Sequence, residues 1–345
     1  MKYYHPILTA GAACCLVFSC VNEKYIEVEE DGGKIVLNAQ MTADEETHII
    51  YLSTSHIRQV DPLEGAEVKV YVNGTFVTDA IGYEGGTVAA KYSFQAVFRT
   101  GDVVRITARK GDLSAEAVTT VPAPAAIVSI DTASVRSMFQ DEMEDFLQVK
   151  VRMRDVPGES TWFRVGVYRY EEGKAVYTDE DGERRETGLG ELALQLPVET
   201  DSDPIINEGG GSSSGDLMSF LSAKNRFASF SDNLFADGEC VIRVNLYKSY
   251  LGDQPYFYFD GAPEYDLIGR RRLVFALYTT GFWQYHYLKA LDNLDAFDYE
   301  TSFLIEPTTL PSNVEGGLGF VSVDNVTSMV FVDDELATHV DHRYY

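Results

Sequence analysis

The chain has 345 residues and a formal net charge of −26 at pH 7, from 54 acidic and 28 basic side chains. Hydrophobic residues make up 45% of the sequence and charged residues 24%, which are ordinary proportions for a globular protein. A net charge of this sign repels the phosphates of nucleic acids, so no nucleic-acid partner is expected. It would suit a cationic or metal-bearing ligand, but solubility is the simpler explanation.

The N-terminus has the pattern of an export signal. Lys2 precedes a short apolar stretch at residues 7–18, and the small residue Ser19 is followed by Cys20. This order is typical of a secretory signal peptide, and the Ser19–Cys20 pair resembles the cleavage site of a bacterial lipoprotein. We therefore predict that residues 1–19 are removed and that Cys20 carries a lipid. The alternatives are an ordinary secretory signal and a core helix.

Residues 20–33 are polar and acidic, with no helical or strand period, and are predicted to be a solvated tether. Cys14 and Cys15 leave with the signal and Cys20 takes the lipid, so Cys240 is the remaining thiol and no intrachain disulfide is expected. Strand alternation places Cys240 on the apolar face of residues 240–246. This position predicts a buried structural thiol and not a reactive one.

Residues 34–121 are predicted to form an immunoglobulin-like β-sandwich, because about seven short runs of β-branched and aromatic residues follow one another. The clearest turn is Asn73–Gly74, which lies between two such runs and is a strong hairpin signal. Pro122 and Pro124 then interrupt the pattern, since proline lacks a backbone donor. We place a domain boundary there.

Residues 125–345 are predicted to form a second, larger β-rich domain. The strand at residues 162–170 carries large apolar groups on both faces, which indicates that both faces are covered. Residues 201–215 consist mostly of Asp, Pro, Gly and Ser, and are predicted to be a flexible loop with almost nothing to bury apart from Ile205 and Ile206.

One helix is clear in this second domain. Thr279 or Thr280 is predicted to cap it, and four apolar residues follow at helical spacing. They are Trp283, Tyr287, Leu291 and Leu294, with Leu288 beside them. This stripe is expected to lie in the core, and contact of Trp283 with a ligand is the less favoured alternative.

The sequence offers little catalytic chemistry. Residues 211–215 fit the G-x-S-x-G pattern of a nucleophile elbow but lack the strand and helix that would flank it. His339 and His342 have no third ligand for zinc, and residues 177–188 lack carboxylates at two required calcium positions. The protein is therefore not expected to be an enzyme or to hold a cofactor or metal.

Aromatic residues are the remaining candidates for a binding site. Tyr250, Tyr256 and Tyr258 lie in or beside a loop bounded by Gly and Pro, without a regular period. Tyrosine offers a large contact area at low entropy cost and is common at binding hot spots. We predict that these three tyrosines contact the ligand or partner.

Short stretches along the chain resemble one family. They are residues 35–38, 41–45, 65–71 and 230–235 with Gly238, Tyr285-His286-Tyr287-Leu288-Lys289, and Ser312-Asn313-Val314-Glu315-Gly316-Gly317-Leu318-Gly319. In this order they resemble the outer-membrane lipoproteins of Bacteroidota that carry the domain of unknown function 4249. The sequence departs from that pattern at Ala39, where a glycine is common, and in the Gly/Ser-rich loop before Phe220.

The resemblance implies a lipid-anchored outer-membrane protein, often encoded beside a TonB-dependent transporter, and brings no catalytic residues. The acidic tether also loosely resembles the surface-export cue of such lipoproteins. The leading hypothesis is a binding or accessory module for that transporter. An adhesin-like structural lipoprotein that recognises other proteins is the alternative, and an enzyme comes third.

Overall fold

The computed structural model describes residues 33–56, 59–83, 88–139, 142–155, 158, 160–179, 181–208, 225–251, 264–296 and 310–341. Within these ranges the chain forms nineteen β-strands and one α-helix, so the prediction of a mainly β protein with one clear helix is confirmed. The predicted signal, the lipidated Cys20 and nearly all of the acidic tether lie outside the described residues.

The strands of the N-terminal half follow one another closely. They are β1 (Lys34–Thr42), β2 (Thr47–His56), β3 (Gln59–Pro62), β4 (Glu67–Val72), β5 (Thr75–Asp79), β6 (Ile81–Tyr83), β7 (Ala90–Gln95), β8 (Val103–Lys110) and β9 (Leu113–Thr120). The predicted hairpin joins β4 and β5, where both turn residues take positive φ, +51° at Asn73 and +79° at Gly74.

The C-terminal half contains longer strands and the helix. Its elements are β10 (Ala126–Phe139), β11 (Glu142–Arg154), β12 (Trp162–Thr178), β13 (Arg184–Leu196), β14 (Val198–Glu199), β15 (Ser229–Ser231), β16 (Glu239–Tyr247), β17 (Glu264–Thr280), α1 (Phe282–Ala296), β18 (Val314–Glu315) and β19 (Val321–Asp341). Two single turns of 3₁₀ helix lie at Asp232–Leu234 and Lys248–Leu251.

The strands form three sheets. A ten-stranded sheet has the order β13-β12-β17-β19-β1-β2-β7-β6, with β15 added on β12 and β3 on β2. A five-stranded sheet runs β18-β9-β8-β4-β5, and a four-stranded sheet runs β10-β11-β16-β14. The ten-stranded sheet therefore passes through both halves of the chain, and β1 and β19 join them as a parallel pair.

Two hydrophobic cores lie on either side of this junction. The first gathers alternate residues of β1, β2, β4, β7, β8 and β9, among them Leu37 and Ile106, and the second gathers residues of β11, β12, β16 and β17. Val121 belongs to the first core and Ala125 to the second, with the proline-containing segment between them. The division into domains and the immunoglobulin-like assignment remain predictions.

The first core also contains a segment from the far end of the chain. Val314, Val321 and Val323 are buried in it, and residues 321–324 pair with residues 39–42. Both Val321 and Val323 belong to one long strand, β19, of 21 residues. The N-terminal half is therefore built from two stretches of chain far apart in sequence.

Gly317 allows this C-terminal segment to approach β1 closely. A Cβ on Gly317 would lie 2.5 Å from the carbonyl oxygen of Ile35, closer than any side-chain carbon can come. Because the position is a glycine, the backbones can exchange hydrogen bonds, from Leu37 N to Leu318 O (2.8 Å) and from Leu318 N to Ile35 O (2.9 Å). These hydrogen bonds hold the glycine-rich turn at residues 316–319 against β1.

Cys240 lies where the sequence placed it. It is buried on β16 on the same face as Ile242, Val244 and Leu246, in the second core. Burial is the main cause that raises the pKa of its thiol to about 12. At physiological pH the side chain is therefore a protonated thiol and a weak nucleophile.

One residue of this half is buried against expectation. In residues 201–208 only Ile205 and Ile206 were expected to have apolar surface to bury, and Ile206 is fully buried, but Asp203 is fully buried too. The Asp203 carboxylate accepts from the backbone N–H groups of Ile205, Ile206 and Arg243 at 2.8 to 3.0 Å. These bonds hold the segment against β16. Residues 209–215 lie outside the described residues.

Candidate functional site

A cavity of about 590 Å³ lies where the two halves meet. Its lining comes from the turn before β8, the end of β9 with the proline segment that follows it, the start of β12, the β17–α1 junction and the start of β19. Segments separated by more than two hundred residues in sequence therefore meet at one place. A volume of this size is typical of small-molecule sites, which measure about 300–1,000 Å³.

Aromatic rings form one wall of this cavity. Phe282 and Trp283 begin helix α1, and Trp162 begins β12. The Phe282 ring lies edge-on to Trp162 at 5.5 Å and to Trp283 at 5.3 Å between ring centroids. The sequence contains two tryptophans, and both line the cavity.

Two of these rings are exposed to solvent. Phe282 is 45% and Trp283 42% exposed. The expectation that Trp283 belongs to the core is therefore wrong. Leu288 is buried as expected, at 7% exposed, and it shares the buried face of α1 with Gln284 and Asp292, which are 0% and 2% exposed.

The reason is that polar partners hold this face of the helix. The Gln284 amide donates to the Asp324 carboxylate at 2.9 Å, and Asp292 accepts from the backbone N–H and the side chain of Arg226 at 3.3 and 3.2 Å. Buried polar groups with such partners stabilise the docking of α1, which turns Trp283 outward.

Several lining residues carry buried polar atoms that have no hydrogen-bond partner among the described residues. They are the Thr280 hydroxyl, the Gln284 side-chain oxygen and the Ser322 hydroxyl, each on a residue at most 2% exposed. An unpaired buried polar group costs about 1–3 kcal/mol. A polar molecule in or beside the cavity would remove this cost.

The N-terminus of α1 also opens on the cavity. Thr279 and Thr280 were predicted to cap the helix, but neither does. The Thr279 hydroxyl accepts from the Ala125 N–H at 3.0 Å, and Gly281, which has no side chain, precedes the first helical residue. Among the described residues, no side chain accepts from the N–H groups of Phe282, Trp283 or Gln284, so these donors remain available to a ligand.

A polar network lies behind Gln284. Arg164 donates to the fully buried Asp324 carboxylate at 3.3 Å, and its guanidinium lies 3.6 Å from the centre of the Tyr278 ring. Tyr278 shares a hydrogen bond of 2.5 Å with Tyr168. Burial raises the pKa of Asp324, while the Arg164 charge and the Gln284 hydrogen bond favour its ionised form.

A second polar network, centred on Glu208, contacts α1 at Tyr285 and Lys289. The Glu208 carboxylate accepts from the Tyr285 hydroxyl at 2.7 Å, from the Ser231 N–H and hydroxyl at 2.9 and 2.7 Å, and lies 3.3 Å from the Lys289 ammonium. Burial alone would raise the pKa of Glu208, but the hydrogen bonds and the Lys289 charge together hold it below its ordinary value. These contacts join residues 201–208, β15 and α1 into one unit.

Another cavity, of about 550 Å³, lies on the five-stranded sheet. It differs in chemistry because charged side chains line it, and four of them form two ion pairs. Arg105 contacts Glu116 at 3.1 Å and lies over the Tyr71 ring, and Lys69 pairs with Glu67. This arrangement is that of an ordinary solvated sheet face.

The tyrosines predicted as binding residues cannot be placed at either cavity. Tyr256 and Tyr258 lie outside the described residues, and for Tyr250 only the backbone, in the 3₁₀ turn Lys248–Leu251, is described. These assignments remain predictions. The G-x-S-x-G stretch at residues 211–215, His342 and the side chain of His339 also lie outside the description.

Two further observations bear on the class of protein. In the described part of the chain, no three His, Cys, Asp or Glu side chains are grouped so that they could hold a metal ion. No helix of the described residues is long and apolar enough to span a membrane.

Comparison with known proteins gives a family but no activity. The search of curated proteins found no match. Among solved structures, a DUF4785 family protein from Legionella pneumophila is similar, at 9% sequence identity and a TM-score of 0.22, over 69% of this chain and 51% of that one. The chain thus spans about half the length of that protein, and so low a TM-score carries no argument. The sequence model of the domain of unknown function DUF4249 matches residues 22–329, and the chain belongs to this family.

Proposed function

We propose that the protein is a binding protein that holds a small ligand in the cavity between its two halves. The observation that carries this proposal is the exposure of Phe282 and Trp283 at the cavity wall. Large aromatic side chains left in water beside a concave surface are typical of binding sites. The unpaired polar atoms of the lining support the same conclusion, because a ligand would satisfy them.

We further propose that the protein works in the cell envelope, anchored at the outer membrane by a lipid on Cys20, as an accessory to a TonB-dependent transporter. The Ser19–Cys20 pair and the acidic residues that follow it support this location. The resemblance to outer-membrane lipoproteins supports the choice of partner. A tethered binding protein would raise the concentration of its ligand beside the transporter.

Intrinsic fluorescence tests the binding role, because both tryptophans of the chain line the cavity. The protein would be titrated separately with three chemical classes of probe, namely neutral oligosaccharides, short peptides and metal chelates. We expect a saturable change in tryptophan emission with at least one class. If no class changes the emission, the binding proposal is wrong.

A pair of variants then tests the position of the site. Trp283→Ala should weaken the binding of the active probe by about tenfold, since a large aromatic contact is lost. Phe76→Ala is the matched control, because Phe76 is 48% exposed on β5 and does not line the cavity. Equal losses in both variants would place the ligand elsewhere.

The proposed location has its own test. Cys20→Ala should move the protein from the membrane pellet to the soluble fraction, because acyl chains hold the wild type. Cys240→Ala should stay in the pellet, since Cys240 is buried in the core. A Cys20→Ala protein that remains in the membrane would contradict the anchor. Absence of a transporter from wild-type protein purified out of solubilised outer membranes would contradict the partner.

A further inference from the structure

We infer that the ligand of this cavity is a neutral, polyhydroxylated molecule, namely a short oligosaccharide. The inference rests on the proposed function, because it names the ligand class for the same site. It follows from three properties of the lining, which are its lack of charge, the kind of polar atoms it leaves unpaired and its exposed aromatic wall.

The first property is the absence of charge. Among the described residues, no charged side chain lines the cavity, although the chain carries 82 acidic and basic side chains in all, 54 and 28. A charged ligand group would have to leave water without a partner of opposite charge, which is strongly unfavourable. The nearby Asp324 does not supply such a partner for a cation, because it does not line the cavity and the Arg164 guanidinium already lies beside its carboxylate, although Arg164 and Gln284 bind only the Oδ2 atom. The net charge of the chain also repels anions.

The second property is the mixture of donors and acceptors. The hydroxyls of Thr280 and Ser322 can both donate and accept, whereas the Gln284 side-chain oxygen only accepts. The backbone N–H groups in the first turn of α1 only donate. A ligand hydroxyl group can donate to the unpaired acceptors of the lining or accept from its unpaired donors, since it carries one donor and two acceptor sites. Threonine is also the commonest residue in the lining.

The third property is the aromatic wall. A sugar ring has an apolar face of C–H groups and a rim of hydroxyls, so it can pack against an aromatic ring and make hydrogen bonds at its edge. Trp283 offers such a ring, 42% exposed, within one turn of helix from the buried amide of Gln284. The volume of about 590 Å³ is in the range found for small-molecule sites and suits a ligand of more than one ring.

The experiment uses matched probes. Full-length protein in detergent would be titrated with neutral tetrasaccharides of glucose, mannose, xylose and N-acetylglucosamine, and tryptophan emission recorded. The charged control is a tetramer of galacturonic acid, and the control for size is an uncharged, terminally blocked tetrapeptide. We expect saturable binding of at least one neutral tetrasaccharide, and binding of the charged tetramer at least tenfold weaker.

Variants show whether the lining makes the predicted contacts. Ser322→Ala should weaken saccharide binding by about tenfold while leaving the melting temperature nearly unchanged, because the hydroxyl it removes has no partner among the described residues. Ser160→Ala is the comparison variant, since Ser160 lies in the lining but is exposed. It should change binding less than Ser322→Ala does. Equal effects, or none, would overturn the assignment of the buried hydroxyl to the ligand.

The outcomes separate the two proposals. If the blocked tetrapeptide or the charged tetramer binds and no neutral saccharide does, the ligand class inferred here is wrong and the binding function stands. If the metal chelates alone bind, the result is the same. If no probe of any class changes the emission, the inference and the proposed function both fail.

Discussion

The contact between Glu208 and helix α1 gives the sharpest stability prediction. Tyr285→Phe removes one hydroxyl that lies 2.7 Å from both oxygens of the Glu208 carboxylate. Hydrogen bonds to charged groups contribute about 1.5–3 kcal/mol. The Glu208 side chain is 26% exposed, so solvent screening favours the lower end, and we expect a loss of about 1.5 kcal/mol in the free energy of unfolding.

The pH dependence of this loss follows from the direction of the pKa shift. The pKa of Glu208 in the folded protein is below its ordinary value of 4.5. Its contribution to stability is therefore fully present above that value and disappears as pH falls through the folded pKa. Tyr285→Phe moves the folded pKa back towards 4.5. The difference between wild type and variant should thus be full near pH 7 and shrink below about pH 4.5.

Urea unfolding followed by circular dichroism at two pH values measures this difference. The control is Tyr83→Phe, because Tyr83 is exposed and its hydroxyl has no hydrogen-bond partner among the described residues. It should change the free energy of unfolding by less than about 0.5 kcal/mol. A Tyr285→Phe loss no larger than that of the control, or one that does not change with pH, would refute the reasoning.

Two other predictions concern the contact of Gly317 with β1 and the thiol of Cys240. Gly317→Ala should lower the free energy of unfolding in urea by about 1–3 kcal/mol, because its methyl group would overlap the Ile35 carbonyl. Gly188→Ala on β13 should have almost no effect, because an added Cβ there has no neighbour within 4 Å. Equal losses of stability in the two variants would contradict the role of the close approach between Gly317 and Ile35. Iodoacetamide should label Cys240 only when the protein is unfolded, as followed by mass spectrometry of its peptide, since burial raises its pKa to about 12. Native labelling as fast as that of a free thiol would show that Cys240 is accessible.

Local patterns in the sequence predicted much of this fold. The hairpin at Asn73–Gly74 and the buried face of Cys240 depend on strand alternation and turn chemistry, which neighbouring residues determine. The pairing of β1 with β19 could not be predicted in this way. It joins residues about 280 apart in sequence, and the reason that it forms lies in the fit of Gly317 against β1.

The lengths of the strands also could not be predicted from local sequence patterns alone. The apolar stretch that marks β17 in the sequence is residues 273–278, but the strand spans Glu264–Thr280. Beyond the apolar stretch, cross-strand ion pairs with β19 continue the ladder, namely Arg270 with Asp333 and Arg271 with Asp334. Such pairs favour strand pairing where no hydrophobic alternation indicates it.

The candidate site was the part that the sequence described least well. Helical spacing placed Trp283 in the core, because an apolar stripe usually marks the buried face. The buried face of α1 instead contains Gln284 and Asp292, whose partners Asp324 and Arg226 come from other elements. The signal available in the sequence was the presence of polar residues at positions 284 and 292, in helical register with Leu288.

Fluorine NMR of protein labelled with 5-fluorotryptophan tests the central claim most directly, that a ligand binds between the two halves. The spectrum should contain two resonances, one from Trp162 and one from Trp283, which Trp162→Phe and Trp283→Phe would assign. Addition of a neutral tetrasaccharide that binds should shift both resonances with the same dissociation constant, because both rings line one cavity. A ligand that binds with measurable affinity and shifts neither resonance would contradict the account.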